Sequence, residues 1–403
     1  MRDPVGAPVL FWLDGALGDT LLAYPALAAL RLSAAGRPVV VVGNPAYYAL
    51  AITLRLIDRA IDANGPAASA LFGGALPPCL PLPATAMLFS GAHLALAERF
   101  RALGVARVIA APARGLDTRH QSAYLLDCLD PLIPFEAAST SLPDSISDAP
   151  EATDREIHPP GQLYRASLDV QQMLDAAANG TAPHSIPVRA PRVGSGSRLS
   201  LLARPLAPAQ SALLGPADRP TVLLHPGAGG HWKRWPLRHF TALAERLVRA
   251  GCAVRWSCGP AEDDMREALR VAPERSGELW PDLHLDDYAA LLARCALLVS
   301  ADTGVAHLAA LLDVPQVALF GPTDPLRWGP LADRAAVIRS PDLCGGRWEA
   351  LAAGPDEPAG PDEPAGEPRL ALQRCLPFDR AACRCLAALP VEEVLAACLA
   401  ALQ

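Results

Sequence analysis

Val9-Leu-Phe-Trp-Leu-Asp-Gly-Ala-Leu-Gly-Asp19 decides how this chain begins. Residues 9–13 are a short unbroken apolar run bounded by Asp14 and Gly15, the pattern of a strand buried on both faces. Beyond Gly15 and Gly18, residues 21–32 place apolar side chains at helical spacing. A strand, a tight glycine turn and a helix, in that order, open a parallel α/β sheet.

Working outward, 38–42, 85–89 and 105–110 are further strand candidates, separated by Ala- and Leu-rich helical segments such as 93–103. From about residue 130 to 220 the sequence loosens into Pro, Ser, Asp and Gly, with one helical stretch at 164–178. A second alternating series starts at Thr221-Val-Leu-Leu-His225. It continues with helix 236–250, strand 252–257, helix 261–271, strand 296–300, helix 304–312 and strand 314–320. At 354–366 the unit Gly-Pro-Asp-Glu-Pro-Ala stands twice in tandem, a polar, Pro-rich composition unsuited to a core. A helix at 391–402, apolar on one face, ends the series.

The expected fold is α/β, with two Rossmann-like, doubly wound domains. One occupies 1–200 and includes the loose linker from about 130. The other occupies 201–403 and carries the Pro-rich insertion at 354–366 and the C-terminal helix. A chain of 403 residues agrees with two cores, since single cores stop growing near 250 to 300 residues.

Composition excludes several classes. Apolar residues make up 51% and charged residues 19%, a globular balance. The net charge of −7 argues against a nucleic-acid partner, which calls for clustered Lys and Arg. Arg294, Asp302, His307 and Asp313 interrupt the longest candidate membrane span. The apolar stretch at 9–13 is too short for a secretory signal and is flanked by Asp3, Asp14 and Asp19, so a cytoplasmic location is expected. The ten cysteines are scattered, and reduced thiols are the default. Cys344, Cys375, Cys383 and Cys385 lack paired Cys-x-x-Cys spacing, so no metal site is expected.

Three motifs carry chemistry. Gly15 and Gly18 permit a tight turn and close ligand approach, and Asp19, at the helix start, suits either a helix cap or a general base. Spacing alone favours the cap. Gly-x-x-Gly is not the dinucleotide fingerprint, and a carboxylate at a helix N-terminus repels a pyrophosphate, which weighs against a nicotinamide-dependent oxidoreductase. The second motif, His225-Pro-Gly-Ala-Gly-Gly-His-Trp-Lys-Arg-Trp-Pro236, loads a Gly-rich loop with Lys233 and Arg234. It suits a diphosphate or, equally, a solvated basic turn with Trp235 packed inward. The third, Ser300-Ala-Asp-Thr-Gly-Val-Ala-His307, sets Asp302, Thr303 and Gly304 at a strand-to-helix junction, a natural anion seat, with His307 one turn on. A lone histidine there is more often structural. Glu262, after Cys258-Gly-Pro260, suits either a ribose diol or a helix cap.

Together, Gly-Ala-Leu-Gly-Asp-Thr, His-Pro-Gly-Ala-Gly with Lys-Arg-Trp-Pro, and Asp-Thr-Gly-Val-Ala-His with Phe-Gly-Pro-Thr-Asp-Pro resemble the glycosyltransferase 9 family of ADP-heptose heptosyltransferases. The resemblance covers about 9–32 and 221–330 and touches Thr118-Arg-His120 and the tail from Cys385. It implies a GT-B fold in which two Rossmann-like domains face a cleft, acceptor on the first and nucleotide-sugar donor on the second, with the C-terminal helix at 391–402 packing back across the first domain. It implies Asp19 as catalytic base, Gly15 and Gly18 as the acceptor-side loop, and Lys233, Glu262, Asp302, Thr303, Gly304 and His307 as donor-binding residues. The implied reaction is an inverting, metal-independent transfer with no cofactor, from an ADP-sugar such as ADP-heptose to a lipopolysaccharide-core-type or lipid-linked glycan. Such an acceptor implies peripheral contact with the inner face of the bacterial inner membrane. The competing expectation within this fold is a non-catalytic nucleotide-sugar-binding or scaffold protein.

Overall fold

The computed structural model describes residues 6–115, 120–129, 205–259, 262–271, 276–340 and 385–403. The expected helix at 164–178, the tandem repeat at 354–366, Thr118, Arg119, Cys344, Cys375 and Cys383 lie outside the described residues.

The first sheet grows from β1 (Val9–Leu13), followed by α1 (Leu17–Leu22), α2 (Tyr24–Ser33), β2 (Val39–Gly43), α3 (Pro45–Thr53), β3 (Arg59–Asp62) and α4 (Pro66–Phe72). It continues with β4 (Thr85–Phe89), α5 (His93–Ala102), β5 (Arg107–Ala111) and α6 (Gln121–Asp127). All five strands are parallel, in the order β3-β2-β1-β4-β5. The unbroken apolar run of β1 follows from its central place. Phe11 and Leu13 feed the core on one face of the sheet, Leu10 and Trp12 the core on the other.

The second sheet contains β6 (Thr221–His225), β7 (Ala253–Trp256), β8 (Glu278–Leu279), β9 (Leu297–Ala301), β10 (Gln316–Phe320) and β11 (Ala335–Arg339). Its helices are α7 (Pro208–Ala212), α8 (Leu237–Arg249), α9 (Asp263–Val271), α10 (Leu285–Leu292), α11 (Gly304–Leu311), α12 (Pro325–Trp328) and α13 (Val391–Ala401). The order β11-β10-β9-β6-β7-β8 is again parallel throughout. In each sheet the chain first builds to one side of the initial strand and then to the other. The crevices where ligands bind in such sheets therefore open beyond the C-terminal ends of β1 and β4, and of β6 and β9. The three motifs stand at the ends of β1, β6 and β9.

Two expectations are corrected. The helix expected at 21–32 is two helices parted at Ala23, because Pro25, in the first turn of α2, has no N–H to continue the α1 ladder. The C-terminal helix, for which the family resemblance suggested a place across the first domain, packs on the second. Val391, Val394 and Cys398 join the core of Trp235, Phe240 and Val299, and Arg246 pairs with Glu392 at 2.5 Å. Strands β3, β8 and β11 are additions, short or partly exposed sheet members with charged residues in their runs.

The domains share one apolar cluster. Phe11, Leu27 and Tyr48 from the first and Leu223, Leu291 and Leu308 from the second belong to it. Helix α1 lies on α11 and α3 on α10, and Thr53 Oγ1 donates to Asp286 Oδ2 across the seam at 3.0 Å.

Candidate active site at the domain seam

On the first domain, Asp19 is the third residue of α1. Its Oδ2 accepts the Ala16 N–H at 3.1 Å, so it does cap the helix start. The same oxygen lies 3.1 Å from Arg114 Nη2, and the Arg114 guanidinium stands 5.4 Å from the Trp328 ring of the second domain. Gly15 is required beneath this carboxylate, because a Cβ there would come within 2.7 Å of Asp19 Cβ. Gly18 faces the other way, toward Gly304 and His307.

On the second domain, Lys233 Nζ donates to Asp302 Oδ2 at 2.6 Å, bridging the loop after β6 and the loop after β9. Asp302 is buried, and Lys233 is partly open to solvent. Thr303 is the extended N-cap residue of α11. His307 lies on the first turn of that helix, buried against Gly18. Burial pushes its pKa down; the carboxylates of Asp302 and Asp19 oppose that and the Lys233 ammonium adds to it. Gly18, next to Asp19 on α1, faces His307 and Gly304, so the first motif lies against the third, and Lys233 is tied to the third motif through Asp302.

Glu262 is buried against Gly227 of the second motif's Gly-rich loop. Burial would raise its pKa, but His225, the Gly259 N–H and Arg234 together outweigh that and hold it at about 2. The second motif divides its cations: Arg234 turns inward to the Ala228 carbonyl and Asp264, and Trp235 is fully buried, its Nε1–H donated to Leu389 O at 3.1 Å. Arg234 and Trp235 are thus structural, and Lys233 alone of the pair faces the third motif.

Sequence reading gave no role to Arg114, His225 or Arg327. Arg327 donates to Gly115 O, and His120 Nε2 lies 3.0 Å from Gly329 O, two contacts that fasten α12 to the first domain. Each pairs residues far apart in the chain, and neither type nor spacing announces it. Among the described residues no group of three or more His, Cys, Asp or Glu could hold a metal ion, and no helix is long and apolar enough to cross a membrane.

Residues 182–348, which include the second and third motifs, match the model of glycosyltransferase family 9 (heptosyltransferase). Over those residues the chain is similar to that family. Within the same family context, the chain is 39% identical over 136 residues to lipooligosaccharide heptosyltransferase 2 of Haemophilus influenzae, covering 32% of this chain and 39% of that protein. It is 41% identical over 106 residues to lipopolysaccharide heptosyltransferase 1 of Pseudomonas aeruginosa, covering 26% and 29%. These matches thus span about two fifths or less of the curated relatives' lengths. The fold likeness is wider. The family 9 glycosyl transferase of Veillonella parvula superposes with a TM-score of 0.59 at 17% identity, over 98% of this chain and 97% of that one. The Escherichia coli ADP-heptose LPS heptosyltransferase II does so at 0.53 and 19%, over 98% of each. The fold of this chain is GT-B, with two Rossmann-like domains.

Proposed function

We propose that the protein is an inverting, metal-independent glycosyltransferase that moves a heptose from ADP-heptose to a lipopolysaccharide-core-type acceptor. The observation that supports this reading is the packing of the first motif, through Gly18, against Gly304 and His307 of the third, to which Lys233 is tied through Asp302. The first domain, within 1–200, takes the acceptor on the Gly15–Gly18 loop. The second, within 201–403, takes the donor.

Asp19 removes the proton from an acceptor hydroxyl as its oxygen attacks the anomeric carbon. The new glycosidic bond forms on the face opposite the breaking bond to the diphosphate, ADP leaves with the electron pair, and the anomeric configuration inverts. Lys233 and the N-terminal amides of α11 at Thr303 and Gly304 receive the charge that grows on the leaving diphosphate. That cation and helix terminus do the work a divalent metal does elsewhere. Glu262 accepts from the ribose diol, and Asp302 holds Lys233 in place. A membrane-anchored acceptor would bring the protein to the inner face of the inner membrane.

Calorimetric titration with ADP, ADP-heptose, UDP-glucose and NAD tests the donor half. Lys233→Ala is expected to weaken ADP-heptose binding by about tenfold or more, since it removes a charged contact and leaves Asp302 without its ammonium. Binding of none of the nucleotide sugars would sink the reading.

A further inference from the structure

The buried contacts around Glu262 extend beyond what a helix cap requires. Its Oε2 accepts the Gly259 N–H at 2.7 Å, and that bond alone would serve a cap. The same oxygen lies 3.5 Å from His225 Nε2. His225 Nδ1 is 3.0 Å from Ser257 Oγ, and that hydroxyl is 2.9 Å from the Tyr288 hydroxyl. Tyr288 is in turn held edge-on by Trp280, with ring centroids 5.5 Å apart. His225 from β6, Ser257 from the loop after β7 and Tyr288 from α10 thus form a row that ends on one carboxylate.

The carboxylate sets the sense of the row. An ionised carboxylate only accepts hydrogen bonds, so His225 turns Nε2–H toward it, and in the neutral tautomer that does so Nδ1 accepts from the Ser257 hydroxyl. The Ser257 oxygen then accepts from Tyr288. Burial raises the Tyr288 pKa, with Ser257 opposing, and the phenol keeps its proton at the far end. Every donor points toward Glu262, and bonds polarised in one sense strengthen one another. The Gly-rich loop is shaped around the result: a Cβ on Gly227 would stand 1.9 Å from Glu262 Oε2. Among the described residues the Gly259 N–H and His225 both meet the carboxylate at Oε2.

We infer that His225, Ser257 and Tyr288 position the Glu262 carboxylate against the Gly-rich loop so that it reads the ribose diol of a nucleoside diphosphate. The inference rests on the donor-site reading above and adds to it a buried row of positioning residues that touch no ligand themselves.

ADP and 2′,3′-dideoxy-ADP, titrated into the full chain, distinguish positioning from mere packing. The wild type is expected to prefer ADP by about tenfold or more, the scale of a hydrogen bond to a charged acceptor. In His225→Phe the preference falls below about threefold while affinity for the dideoxy analogue stays within about twofold, and Tyr288→Phe lies between. Adding Glu262→Gln to His225→Phe removes no further discrimination, because both act at one carboxylate. Equal weakening of both nucleotides in His225→Phe, or an intact preference, overturns the positioning role and leaves the donor site standing. A wild type that binds neither nucleotide overturns both. Ser257→Ala, which cuts only the middle of the row, gives the same comparison should His225→Phe fail to fold.

Discussion

Asp19 carries two duties, helix cap and proposed base, and a substitution can separate them. Asn keeps an acceptor for the Ala16 N–H but takes no proton, so Asp19→Asn is expected to lower kcat by about 100-fold or more with donor affinity unchanged. A transfer assay with ADP-heptose and a heptose-deficient core, beside calorimetry, reads both. His120 makes a pH prediction. Burial, aided by His307 and opposed by the Gly329 carbonyl, lowers its pKa from the ordinary 6.5 to about 4. The unfolded imidazole binds a proton first, so the stability it contributes is whole above pH 6.5 and is lost as pH falls from there toward 4. The melting temperature should drop across that window, and His120→Gln should flatten the drop; an unchanged slope would refute the assignment. At this scale the sequence was legible where one motif holds both a residue and its setting, as with Asp302, Thr303 and His307. It was illegible where partners come from afar: Arg114 reaches Asp19 across 95 positions, and no pattern in either segment points to the other.

Two helix starts meet at the seam, and their glycines are not equivalent. A Cβ on Gly18 would find its nearest neighbour at 3.4 Å, an ordinary contact, whereas one on Gly304 would meet the Gly18 backbone N and Leu17 at 2.9 Å. Gly18→Ala should therefore be close to neutral, and Gly304→Ala should cost about 1–3 kcal/mol by wedging α1 from α11. Denaturant unfolding checks the pair, and equal costs would show that the seam is looser than described. The glycine of the third motif thus serves the approach of the other domain as well as a ligand. The central strands were legible because β1, β6 and β9 are buried along their whole length around apolar runs at 9–13, 222–224 and 297–299. Strand β3 was not, since charged residues begin and end its four positions. Helix α13 shows the limit of an apolar stripe: it tells that a face is buried, and leaves open against which domain.

Taken whole, the chain has two sheets of the same winding order but one apolar cluster that runs through both. Thermal unfolding of the full chain should then show a single cooperative transition by calorimetry, and residues 205–403 expressed alone should expose Leu291 and Leu308 and aggregate. Two resolved transitions would mean that the domains fold apart. The two sheets could be foreseen from alternating strands and helices, but their shared core could not, because it arises from helix faces that each sheet alone would leave wet. On the proposed function, the shared core also restricts how substrates enter. A wide swing of one domain away from the other would bring water onto the facing sides of α1, α3, α10 and α11, so admission by sliding α1 over α11 and α3 over α10 is the cheaper movement. Turnover and heat resistance would then draw on the same surface, and variants selected for faster product release should melt earlier.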